Sequence, residues 1–277
     1  MCSRLITTRF GEIEYRSVGI GIPIVFIHGG HANCNEKLCH KGFHLEKYRL
    51  ITPSRPGYGK TPLANNHTPD KAADLIAELM RQLSINKAII YGVSAGGLTA
   101  IELAANHPDL VDKLILASAV STKWLDTKDE TYKIAQIIFN PRIEGFTWRM
   151  VGFFSGYFPG MIANSFFSQF SSCHSHKLRK EDIKELVLAF REYRSKKGFL
   201  NDIDQNGRDE SLKRIKAPSL VIHSKNDKSV PYEHAVHSHK LIKRAKLIEL
   251  DNEWGHLFWI GRDAHESIKK VIDFINE

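Results

Sequence analysis

Residues 87–106 read Lys87-Ala88-Ile89-Ile90-Tyr91-Gly92-Val93-Ser94-Ala95-Gly96-Gly97-Leu98-Thr99-Ala100-Ile101-Glu102-Leu103-Ala104-Ala105-Asn106. The first seven are apolar and β-branched enough to predict a buried strand. From Ala95 onward, good helix formers predict a helix that runs to Asn106. The join between them is Gly92-Val93-Ser94-Ala95-Gly96, a G-x-S-x-G pattern. Taken bare, that pattern arises by chance in about one chain in ten at ordinary glycine content. Its position on a strand-to-helix turn makes it specific. A serine there has a strained backbone and close-passing neighbours, so small residues must flank it. The turn exposes the hydroxyl and aims the N-terminal N–H groups of the helix at developing negative charge.

The same alternation extends outward. Short β-branched runs at 22–27, 49–52, 87–93 and 111–117 are separated by a helical pattern after Pro69 and by the helix from Ala95. It resumes with a strand at 219–223, a helix after Pro231, a strand at 246–250 and a last helix from about Arg262 to Ile275. Near-continuous apolar strands alternating with helices predict a mostly parallel sheet covered on both faces. Residues 5–8 and 13–18 read as an antiparallel hairpin at one edge.

Residues 121–212 break the rhythm and read as a helical cap inserted into a core of 1–120 and 213–277. Thr127-Lys128-Asp129-Glu130 has the form of a capping box, opening a helix that stops before Asn140-Pro141. Ile183, Leu186, Val187 and Phe190 mark another amphipathic helix, with Gly198 placed to end it. Within 145–170 stand nine of the chain's 27 aromatic residues, with Arg149 the sole charge. Most of these rings are expected to pack against the core, and a few to line an apolar cavity, with Phe153 and Phe154 the substrate-binding candidates.

The 277 residues, 42% hydrophobic and 25% charged, are ordinary globular values for one large domain with an insertion. The net charge of +8 is spread among interspersed acids, without the unmixed basic stripe that nucleic acid requires. No stretch reads as a membrane span or a signal peptide, and four cysteines are too few for a disulfide scaffold. A cytoplasmic location is therefore expected. Cys34, Cys39, His40 and His44, or Cys173, His174 and His176, lack paired metal-ligand spacing, so no metal site is expected. No nucleotide fingerprint is present either, and no cofactor is implied.

A serine nucleophile needs a base within hydrogen-bond reach, and the base needs an orienting carboxylate. Among 14 histidines, His256 lies after the last strand beside Gly255, where a loop can bend over the sheet's carboxyl edge. His223 lies inside a strand and reads as a satisfied core histidine. Asp227 follows a buried strand and precedes Val230-Pro231, a rigid turn; Asp251, nearer in sequence to His256, is the rival acid.

With these residues in order, the whole chain resembles the α/β-hydrolase superfamily. Ile24-Val25-Phe26-Ile27-His28-Gly29-Gly30 is similar to its strand and HG turn, and Ser54-Arg55-Pro56-Gly57-Tyr58-Gly59 to its Arg-x-Gly-x-Gly loop. Asn226-Asp227-Lys228-Ser229-Val230-Pro231 resembles its acid loop, and Trp254-Gly255-His256 its histidine segment. The order Ser, Asp, His is that of the fold. Some relatives place the acid one strand earlier, where this chain has Ser118.

The resemblance implies a Ser94, Asp227, His256 triad. It also implies an oxyanion hole from the backbone of Ala95 and of Gly30, with His31 as the alternative second donor and a further substrate-binding candidate. Ser54 replaces an acid common before the loop arginine, and Arg55 is expected to be structural. The expected activity is cleavage of an ester-type bond in a small, largely apolar molecule by a monomer or homodimer. Lactones, thioesters, carbon–carbon bonds, lyase and perhydrolase chemistry, and slow-turnover ligand sensing share the scaffold.

Overall fold

The computed structural model describes residues 3–174 and 178–277, except the side chains of 189–192. His176 and the Phe190 ring fall outside the described residues. Eight strands form one sheet: β1 (Arg4–Thr8), β2 (Gly11–Val18), β3 (Ile22–Ile27), β4 (Tyr48–Pro53), β5 (Ala88–Val93), β6 (Val111–Ala117), β7 (Ser219–Ser224) and β8 (Ala245–Leu250). Their order is β1-β2-β4-β3-β5-β6-β7-β8. β1 and β2 form the expected edge hairpin, and β2 runs antiparallel to β4. Every later pair is parallel.

The helices are α1 (Pro69–Gln82), α2 (Gly97–Asn106), α3 (Glu130–Ile138), α4 (Glu144–Tyr157), α5 (Pro159–Phe170), α6 (Lys180–Glu192), α7 (Gly198–Ile203), α8 (Asp209–Arg214), α9 (Glu233–Leu241) and α10 (Ala264–Asn276). Successive strand residues point to opposite faces, and the core divides accordingly. Val25, Ile27, Ile90, Leu116 and Val221 pack toward α1, α2 and α9. Ile24, Phe26, Tyr91, Ile115 and Ile222 pack toward α10, Phe43 and Trp259. Both faces are covered, and the alternation explains the nearly unbroken apolar strands. This is the α/β-hydrolase fold. No described helix is long and apolar enough to cross a membrane.

Among the described residues, six helices, α3 to α8, lie between β6 and β7. The capping box does not form: Asp129 is the N-cap of α3, and the Thr127 hydroxyl turns to Asp126 instead. Gly198 opens α7 rather than ending α6. The aromatic layer is also less buried than expected. Trp148 and Phe167 are buried, whereas Phe146, Phe153, Phe154, Tyr157 and Phe158 are exposed. A helix apolar all round buries only the stripe that meets a partner; on α4 that stripe holds Trp148 and Ser155.

α8 is tied to α2, and the expected boundary at 212 runs through it. Buried Glu102 accepts hydrogen bonds from Arg208 at 2.6 and 3.0 Å and from Ser211 Oγ at 2.7 Å. Glu102→Ala strands the buried Ser211 hydroxyl and should lower stability by about 2 kcal/mol in urea unfolding. Lys213→Ala, which removes only the exposed Glu210 pair, should leave the curve unchanged. Equal shifts in the two variants would contradict this anchoring.

Candidate active site

Ser94 follows β5 directly, in a left-handed conformation with φ 50°. A 3-10 turn (Ser94–Gly96) then leads into α2. The turn is wedged against the end of β3. A Cβ on Gly96 would lie 2.4 Å from the Ile27 carbonyl oxygen and 2.5 Å from that of His28, so only glycine fits. The Ser94 carbonyl accepts the Val120 N–H at 3.0 Å, which ties the turn to the chain leaving β6.

The chain leaving β3 passes over the serine. A Cβ on Gly29 would stand 2.9 Å from Ser94 Cβ. This turn is held from behind by buried Arg55, whose Nε donates to the His28 carbonyl at 2.7 Å and whose Nη2 donates to that of Gly29 at 3.1 Å. A trans peptide directs its N–H opposite to its C=O. The Gly30 N–H is thereby turned away from Arg55. His28 Nδ1 also donates to the Gly29 carbonyl, and Nε2 accepts the Arg55 N–H, so one neutral tautomer satisfies both contacts. Burial, and then the Arg55 charge, push the His28 pKa well down.

Arg55 itself is neutralised by Asp202 of α7, through hydrogen bonds of 2.7 and 2.6 Å, and Tyr58 donates to the same carboxylate at 2.5 Å. Burial opposes the guanidinium charge, but Asp202 outweighs it and keeps Arg55 protonated. Arg55 is thus structural, as its sequence context implied. Ser54 meets a carboxylate after all, since Glu14 of β2 accepts its hydroxyl at 3.0 Å.

Asp227 and His256 meet across the loops after β7 and β8. His256 Nδ1 lies 2.8 Å from Asp227 Oδ2, so Nδ1 carries the proton and Nε2 is the basic nitrogen. Asp227 Oδ1 accepts the N–H groups of Ser229 and Val230 at 2.9 and 2.8 Å. Burial alone would raise the Asp227 pKa. The His256 charge and the hydrogen bonds from His223 and His256 more than offset this and bring it to about 2. The rival Asp251 is exposed and accepts Asn226 Nδ2 instead. Ser118, at the end of β6, donates to the His256 carbonyl at 3.0 Å. The segment bonded to Ser94 through Val120 therefore also holds the histidine.

The helical segment closes on the same loops. The Phe170 carbonyl accepts the His256 N–H at 3.0 Å, and the Phe170 ring stacks on the imidazole at 5.9 Å. Over the β3 turn, Phe199 lies 2.7 Å from where a Gly30 Cβ would be and stacks on Phe139 at 3.9 Å. Trp124 meets Phe199 edge-on. His31 is half-buried, stacked on Trp148 at 3.8 Å, with Nδ1 2.8 Å from Ser195 Oγ. Burial, and then Arg194, lower its pKa to about 3. Phe153 and Phe154 are not brought to this cluster; their ring partners are each other and Tyr157, on the exposed side of α4. The sequence did not single out Asp202, Phe170 or Phe199, and His223 read as a core histidine although it lies 3.1 Å from Asp227 Oδ2. Of these, only His223, four residues before Asp227, carried a local signal.

Two outcomes test this geometry. Asp202→Asn leaves Arg55 charged and buried, and should cost about 3 kcal/mol in urea unfolding; an unchanged midpoint would contradict the network. A carboxylate depressed from 3.8 to about 2 adds stability above the higher value and loses it as pH falls toward the lower. Stability of the parent should therefore fall more steeply than that of Asp227→Asn between about pH 4 and 2, by on the order of 2 kcal/mol. Parallel curves would contradict it.

The sequence profile described as alpha/beta hydrolase fold matches residues 22–262. The uncharacterized hydrolase YcgS of Bacillus subtilis is 34% identical over 277 residues, covering 98% of this chain and 97% of that protein. A bifunctional esterase/perhydrolase of Acinetobacter calcoaceticus is 26% identical, covering 88% of this chain and 89% of its own length. The solved alpha/beta hydrolase fold protein from Nakamurella multipartita superimposes with a TM-score of 0.79 at 27% identity, covering 99% of this chain and 98% of that one. With an eight-stranded sheet, a strained serine after β5 and a profile match over most of its length, the chain belongs to the alpha/beta hydrolase family.

Proposed function

We propose that the chain is a serine hydrolase that cleaves an ester-type bond of a small, largely apolar substrate through an acyl-enzyme on Ser94. The observation that carries this reading is the His256–Asp227 hydrogen bond of 2.8 Å, with Ser118 and Val120 joining the His256 loop to the Ser94 turn. In this mechanism His256 Nε2 takes the Ser94 proton as Oγ attacks the carbonyl carbon. Asp227 holds the Nδ1–H tautomer and stabilises the imidazolium. The tetrahedral oxyanion is met by the N–H groups of Ala95 and Gly30. His256 returns the proton to the leaving alkoxide, and water repeats the sequence on the acyl-enzyme. No hydrogen bond joins Ser94 to His256 in this structure; in the proposed mechanism it forms when substrate is bound.

A serine at position 94 excludes the routes of relatives that use an aspartate nucleophile. The substrate's apolar part is assigned to Phe199, which lies against Gly30, and to Phe139 and Trp124 packed on it, rather than to Phe153 and Phe154. Burying hydrocarbon among these rings favours acyl chains longer than acetyl. A relative described as an esterase/perhydrolase supports the ester reading, and one described as a 2-hydroxy-6-oxo-6-(2'-aminophenyl)hexa-2,4-dienoic acid hydrolase supports the carbon–carbon alternative.

Ser94→Ala should cut kcat/KM for p-nitrophenyl butyrate by roughly 10⁴-fold. Near-parental turnover in that variant would sink the proposal. Across acetyl, butyryl and hexanoyl esters activity should rise to butyryl or beyond, and Phe199→Ala should move the optimum. A steady fall with chain length would contradict the aromatic pocket.

A further inference from the structure

We infer that His223 is a positioning residue for Asp227, holding the carboxylate in the orientation and charge state that His256 requires. The inference rests on the proposed Ser94–His256–Asp227 triad. His223 belongs to β7 and is fully buried. Its Nε2 lies 3.1 Å from Asp227 Oδ2, the same oxygen that receives His256 Nδ1 at 2.8 Å. Nε2 is also 2.9 Å from the Val230 carbonyl oxygen. Both neighbours are acceptors, so Nε2 carries the proton and donates to them. Nδ1 is buried and meets no hydrogen-bond partner among the described residues. The ring is therefore the Nε2–H tautomer.

Asp227 thus receives four donors. Two backbone N–H groups fix Oδ1, and two imidazoles share Oδ2. Without His223, Oδ2 would keep only the His256 N–H, and the carboxylate could rock about the two backbone bonds to Oδ1. The second imidazole also withdraws proton affinity from Oδ2. Asp227 stays a carboxylate, accepts the His256 N–H without taking its proton, and stabilises the imidazolium less than a bare carboxylate would. The titratable groups around His223 are Asp227 and His256 on the two loops, and Tyr232 and His234 at the start of α9. Burial pushes His234 down to about 4, so it brings no competing cation at neutral pH. His223 lies behind the acid, so its effect should fall on kcat and on the pH dependence, and not on KM.

The test measures kcat, KM and the acidic limb of kcat/KM with p-nitrophenyl butyrate in full-length His223→Leu, His223→Gln and His223→Asn, with Ser94→Ala alongside. Leucine removes the donor. It should lower kcat about tenfold or more, keep KM within about twofold, and move the acidic limb upward by about half a pH unit, because Asp227 then binds the imidazolium more tightly. Glutamine places an amide N–H near the position of Nε2 and should restore both kcat and the limb. Asparagine is too short to reach Asp227 and should behave like leucine. Loss of packing alone would not produce a limb shift that glutamine reverses. A folded His223→Leu protein with parental kcat and limb would overturn the inference. Should the leucine variant not fold, equal behaviour of the glutamine and asparagine variants would overturn it. An inactive Ser94→Ala beside a parental His223→Leu would remove the role of His223 alone, whereas an active Ser94→Ala would remove the triad with it.

Discussion

Parallel strands deliver their ends to one edge of the sheet, and at that edge the chain must turn within a few residues. Turns at this edge use the left-handed region, among them His31 after β3, Ser94 after β5, Ser118 after β6 and Gly255 after β8, with φ between 46° and 51°. Three of them are not glycine, and each such residue costs roughly 1–2 kcal/mol in isolation. The strain persists because neighbouring groups determine each turn. Val120 bonds to the Ser94 carbonyl, Ser118 bonds to the His256 carbonyl, and Ser195 meets His31. The candidate site is the set of side chains that these strained turns present together.

The helical segment between β6 and β7 is an integral part of that edge. It supplies the anion for Arg55 through Asp202, so the carbonyls of the β3 turn are fixed by a guanidinium that would otherwise be buried and unpaired. It also supplies the Phe170 carbonyl, which accepts the His256 N–H, and Ser171, which pairs with Asp227 as an isolated bridge. Both the turn proposed to stabilise the oxyanion and the loop proposed to carry the base are thus braced from α5 and α7. A substitution in those helices far from Ser94 would be felt as misplacement of the reacting groups, where small displacements carry large kinetic effects.

Local sequence made much of this visible. The apolar runs became strands because their side chains face two covered surfaces, and the G-x-S-x-G pattern marked the turn because close packing at Gly96 leaves room only for hydrogen. The Asp227 and His256 loops were legible from their positions after β7 and β8. What escaped depends on distant pairing. Asp202 lies 147 residues from Arg55, and nothing around it distinguishes it from a surface acid. The Phe170 contribution is a backbone carbonyl, which no residue type announces. Thr127 has the right spacing for a capping box, yet its hydroxyl turns to Asp126, and Asp129, at the N-cap of α3, makes no capping bond through its side chain. The aromatic content of 145–170 misled for a related reason, since composition shows that a helix is apolar without showing how much of it finds a partner.

In the proposed mechanism, carbonyl chemistry passes through a covalent bond to Ser94. The most direct measurement is rapid quenching of the protein with a slowly deacylated p-nitrophenyl ester, followed by intact-mass analysis and peptide mapping. An acyl-enzyme on Ser94 should appear as an added acyl mass that grows with the nitrophenol burst, maps to the peptide containing Ser94, and is absent from Ser94→Ala. Sustained nitrophenol release with no adduct, or an adduct on another residue, would contradict it.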